Sequence, residues 1–141
     1  MKELETLFCT YDQALALKEL GYDEPCFGRF MKESNDLLIA HTEKYFMSGT
    51  DRKEFFTLAP LKSQVFKFFR DKHKLYAEID LDSYQEPYSL KVTIKKMDAT
   101  NTYVEEEFYP YANGIGDIDN DKYEEAETEC IDKLIELIKN K

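Results

Sequence analysis

Asp117, Asp119 and Asp121 alternate along this 141-residue chain, and hard oxygen ligands at such spacing can wrap a calcium ion. A calcium loop of the EF-hand type would need Gly where Lys122 stands and Glu where Thr128 stands. The spacing therefore points to a solvated loop and an acid-rich helix start. Asn113-Gly114-Ile115-Gly116 lacks the Lys-Ser/Thr tail of a phosphate loop and runs straight into carboxylates, so it reads as a turn. His41 and His73 have no second His or Cys at ligand spacing, and no zinc set is expected. Cys26 would be a nucleophile if a His approached it, but its apolar context favours a buried, inert thiol. Glu105, Glu106 and Glu107 offer carboxylates for acid/base work. Strand alternation instead places Glu105 and Glu107 on one solvent face beside Lys91 and Lys95, where opposite charges pair across strands. No nucleophile, base and oxyanion donors can be assigned together, so no catalytic residue, metal or cofactor is expected.

Charge offers two further candidates. Residues 52–74 hold seven basic side chains against Glu54 and Asp71, a local +5. Within them a helix can present its N-terminal amides with Lys62, Lys67 and Arg70 to an anion, making these the candidate small-ligand or nucleotide residues. Residues 117–129 hold seven acids against Lys122, a local −6. Asp117, Asp119, Asp121, Glu124, Glu125 and Glu127 are accordingly the candidate partner-binding residues. The formal net charge of −10 opposes duplex nucleic acid and anionic lipid as partners.

These groups must be positioned by a mixture of helices and strands. Thr10 with Gln13 has the form of a capping box, Ala14, Leu15, Leu17 and Leu20 give the following helix an apolar side, and Gly21 is placed to end it. Residues 26–31 and 37–41, around the polar turn Glu33-Ser34-Asn35-Asp36, read as a β-hairpin. Residues 42–51 read as a loop, and residues 55–58 fit either a short strand or a lead-in to the next helix. Pro60 suits the first position of that helix, with Leu61, Val65, Phe68 and Phe69 at helical spacing as far as His73. Three strand-like runs follow at 75–81, 88–95 and 102–109, with short links that imply an antiparallel meander. Asp121 and Glu124 form a second capping box for a last helix, whose stripe holds Tyr123, Ala126, Cys130, Leu134 and Leu137.

The sum is an α+β fold: one antiparallel sheet, made of the hairpin and the meander, with about three helices on one face. Length and 43% hydrophobic content fit a single domain over residues 1–141. The order helix, three strands, helix over 60–140 resembles that of double-stranded RNA-binding domains, but the acids at the start of the last helix oppose phosphate contact. Three unpaired-looking cysteines, no basic start leading into an apolar run and no bilayer-length apolar stretch point to the cytoplasm and away from a membrane.

Residues 11–27 (YDQALALKELGYDEPCF), 59–70 (APLKSQVFKFFR) and 123–137 (YEEAETECIDKLIEL) resemble a family of short uncharacterised proteins from bacteriophages and mobile elements of Bacteroides-type gut bacteria. That resemblance implies a source and carries no activity, ligand or site. The function expected on this basis is a non-enzymatic accessory protein that binds another protein. The alternative is a sequestering protein for a small ligand or nucleotide held by the basic helix. Both are compatible with a homo-oligomer, and the sequence leaves open whether the acidic side imitates nucleic acid.

Overall fold

A computed structural model describes residues 2–39, 56–82, 89–110 and 120–140. Among these the fold is α+β, with four helices and six strands in the order α1 (Lys2–Glu5), α2 (Tyr11–Glu19), β1 (Gly28–Met31), β2 (Leu37–Ile39), β3 (Phe56–Ala59), α3 (Lys62–His73), β4 (Leu75–Asp82), β5 (Ser89–Met97), β6 (Thr102–Phe108) and α4 (Asn120–Lys139). The strands form two separate antiparallel sheets, β2-β1-β3 and β4-β5-β6, where the sequence suggested one. The run at 55–58 supplies strand β3, which takes the second edge of β1, and among the described residues no strand of this sheet pairs with the meander. The expected loop at 42–51 lies outside the described residues. Contacts gather into two compact units, Met1–Val65 and Phe66–Lys141, with the boundary inside α3.

In the first unit, local chemistry sets each element as the sequence implied. Thr10 Oγ1 accepts from the Gln13 N–H at 3.1 Å and Gln13 Oε1 accepts from the Thr10 N–H at 3.0 Å, closing the capping box of α2. At the other end the Gly21 N–H donates to the Lys18 carbonyl and the Tyr22 N–H to the Leu17 carbonyl, the paired bonds of a Schellman cap, with Gly21 at φ +93°. The hairpin turn holds Asn35 at φ +60°, and the Met31 N–H donates to the Asp36 carbonyl at 3.0 Å. β1 pairs on one side with β2, Phe30 opposite Leu37, and on the other with β3, Gly28 opposite Ala59. α2 packs against β3 and buries Ala14 and Leu17; Phe8, Phe30 and Ala59 are also buried in this unit.

α3 begins at Lys62, two residues later than Pro60 suggested. Leu61 is held in a bridge with Phe8, in which the Cys9 N–H donates to the Pro60 carbonyl and the Lys62 N–H to the Leu7 carbonyl. Gln64 then caps the helix by accepting from the Leu61 N–H at 3.0 Å, while its Nε2 donates to the Pro25 carbonyl.

In the second unit β4 and β5 are in register from Leu75 opposite Lys96 to Asp82 opposite Ser89. Leu90, Val92 and Ile94 are buried, and α4 packs against β4 and β5 with Ala126, Cys130, Ile131, Leu134 and Ile135 buried. Asp98 turns β5 into β6 by accepting from the Thr100 and Asn101 N–H groups. The β5–β6 register slips between Ile94 and Lys95: Ile94 faces Glu106, Lys95 faces Val104, and Glu105 is the extra residue of a β-bulge. α4 starts at Asn120, which puts Asp121 inside its first turn and not at the cap.

Candidate functional site

The three cations read as an anion site do not converge. At about 100° per residue, Lys67 and Arg70 lie about 60° apart around α3, with Lys62 about 140° from Lys67. Lys62 is buried, at 6% exposure, while Lys67 and Arg70 are exposed. Lys67 forms an exposed (i, i+4) ion pair with Asp71, and its hydrogen bond holds the Asp71 carboxyl below its ordinary range.

The thiols are equally unsuited to nucleophilic work. Cys9, Cys26 and Cys130 are all buried and free. Burial pushes them up to about 12, 11 and 12 respectively; at Cys9 the neighbouring Cys26 adds to the effect, and at Cys130 Glu127 does. The Cys26 Sγ donates to the Gly28 carbonyl at 3.2 Å. His73 packs against the rings of Phe68 and Phe69, with centroids 5.5 and 5.7 Å away, and His41 lies outside the described residues. Among the described residues no group of three His, Cys, Asp or Glu side chains could hold a metal ion.

On the acidic side, Asp117 and Asp119 lie outside the described residues, and of Asp121 only its backbone place in α4 is described. Glu125 is exposed at the start of α4, with Glu124 and Glu127 half-buried. Tyr123 is exposed there, and its phenol is raised by partial burial and by the charges of Glu127 and Asp80. This end of α4 thus collects negative charge near β4.

β6 carries a surface that residue-by-residue reading missed. Lys91 and Glu107 pair across β5 and β6 at 3.5 Å, as alternation implied, but Lys95 pairs with Glu78 of β4 at 3.3 Å. The bulge at Glu105 interrupts the period of two between Val104 and Glu106. Tyr103 and Val104 are exposed at 45% and 52%. Three consecutive acids inside a strand were the available signal, since an uninterrupted half-buried strand alternates apolar and polar residues.

Compared with known proteins, the chain matches no family model, no curated protein and no solved structure. Among the described residues no helix is long and apolar enough to cross a membrane.

Proposed function

We propose that the chain is a non-enzymatic accessory protein of a bacteriophage or mobile element, acting in the cytoplasm by binding another protein whose docking face is basic. The observation that carries this reading is the concentration of charge in one unit. Residues 66–141 hold eleven Lys and Arg against eighteen Asp and Glu, a net −7, whereas residues 1–65 hold eight against eleven, a net −3. Acids in the more charged unit stand at exposed positions of β4, β6 and α4. Such a field attracts cationic surfaces and repels polyanions, which favours a protein over nucleic acid. The buried, raised thiols weaken the case for Cys26 as a nucleophile, and the separation of Lys62 from Lys67 and Arg70 weakens the small-ligand reading.

Native mass spectrometry of the protein purified from cells that encode it tests this directly. A co-purifying protein that dissociates as salt is raised is the expected result. Recovery of a nucleotide or other phosphorylated ligand, lost on Lys62→Ala, Lys67→Ala or Arg70→Ala, replaces the reading with the ligand-binding alternative.

A further inference from the structure

In the second sheet β6 pairs with β5 alone among the described residues. One of its two rows of backbone N–H and C=O groups therefore points away from the sheet, as on any edge strand. Apolar side chains are available on this strand: Tyr103 and Val104 are exposed on its two opposite faces, and Tyr109 is exposed just past its end. In the middle come three carboxylates of unlike status. Glu107 is tied to Lys91, but Glu105 and Glu106 have no ion-pair partner among the described residues. Glu105 is the extra residue of the bulge, and Glu106 sits half-buried opposite the fully buried Ile94. Partial burial strengthens the attraction of such a carboxylate for an incoming cation.

We propose that the outer edge of β6 is a docking site for an extended, lysine- or arginine-bearing segment of a partner protein, which joins the sheet as a fourth strand. This rests on the protein-binding reading above and names its surface. Backbone hydrogen bonds to the open row supply the affinity of strand addition, and side chains at alternate positions supply specificity. The apolar residues of the segment pack on Tyr103 and Val104 while its cations pair with Glu105 and Glu106. Charge selects this occupant over a second copy of the chain. Pairing β6 with its own antiparallel copy would bring two Glu105-Glu106-Glu107 triplets together across a strand spacing of about 5 Å, where like charges oppose association.

The probe is a short synthetic peptide of three consecutive lysines flanked on both sides by valine and threonine, titrated into the full chain at low salt by calorimetry. Two control peptides accompany it, one with glutamates for the lysines and one with prolines for the valines, which keeps the charge but cannot form a strand. The lysine peptide is expected to bind, and both controls to fail. Amide hydrogen exchange across residues 102–108 is expected to slow on binding. The double variant Glu105→Gln/Glu106→Gln should bind about tenfold more weakly. Should that variant not fold, Tyr103→Thr offers a second, with the same direction of change. Equal binding of the proline peptide, no response to either variant, or no binding of the lysine peptide overturns the proposal. If it fails while a co-purified partner still responds to substitutions at Glu124, Glu125 and Glu127, the docking surface lies elsewhere and protein binding stands. If no partner is recovered either, both fall.

Discussion

Gly21 and Gly28 do different work, and the difference can be measured. Gly21 holds φ +93° at the end of α2, and a Cβ there would meet nothing within 4 Å, so the demand is purely conformational. Gly28 is limited by space, since a Cβ would come within 2.8 Å of both the Ala59 carbonyl oxygen and the Phe8 ring. Gly21→Ala should cost about 1–2 kcal/mol in urea unfolding, and Gly21→Asn less, because Asn tolerates the left-handed region. Gly28→Asn should show no such advantage over Gly28→Ala, which should itself cost about 1–3 kcal/mol by overpacking. An Asn advantage at both positions would contradict this assignment. The thiols give a second residue-scale expectation. Their native values lie above an unfolded value near 9, so the folded state retains protons that the unfolded chain releases. The stability they contribute is complete below about pH 9 and declines from there towards pH 11–12. Replacing Cys9 and Cys26 with Ala should flatten that decline, and Ellman's reagent at pH 8 should reach the native thiols only as fast as the fold opens.

At the scale of elements, the sequence announced most of what forms. The Thr10 and Gln13 pair, the glycine after α2, and the apolar spacings of α3 and α4 are local signals, and local hydrogen bonds realise them. What stayed hidden was non-local. β3 is only Phe56–Ala59, too short for its alternation to distinguish it from a loop, and it exists because β1 offers it a second edge. The start of α3 moved for a similar reason, as Leu61 answers to Phe8 across the chain and not to its own helix propensity. β5 alternates cleanly, yet Thr93 is buried along with Leu90, Val92 and Ile94, because it stands on the central strand between Glu78 of β4 and Glu107 of β6. In α4 the stripe read from the sequence is buried from Ala126 through Leu134, with Tyr123 exposed at its start and Leu137 half-exposed near the end. Leu134 is fully buried, so Leu134→Ala should cost about 2–5 kcal/mol in urea unfolding. A loss under about 1 kcal/mol would mean that the site collapses around the missing volume without penalty.

For the whole molecule, charge is the property sequence alone determines, and geometry decides where it acts. The basic run at 52–74 reads as one surface in sequence, but it divides among Arg52 and Lys53 outside the described residues, a buried Lys62, an ion-paired Lys67 and the exposed Arg70, Lys72 and Lys74. The acidic run concentrates better, since α4 carries Glu124, Glu125 and Glu127 within about one turn, in a unit of net −7. Long-range attraction depends on summed charge and is screened over about 8–10 Å at ordinary ionic strength, so it acts chiefly on encounter. Replacing Glu124, Glu125 and Glu127 together with Gln removes three charges while keeping side-chain size and helix propensity nearly constant. Thermal unfolding should therefore change little, while the association rate with the protein partner should fall and its dependence on salt should flatten. Dissociation should change less, because steering lowers the barrier to encounter more than it holds the formed complex. Stopped-flow association over a salt series separates the two, and an unchanged association rate with faster dissociation would assign these glutamates to the contact itself and not to the field around it.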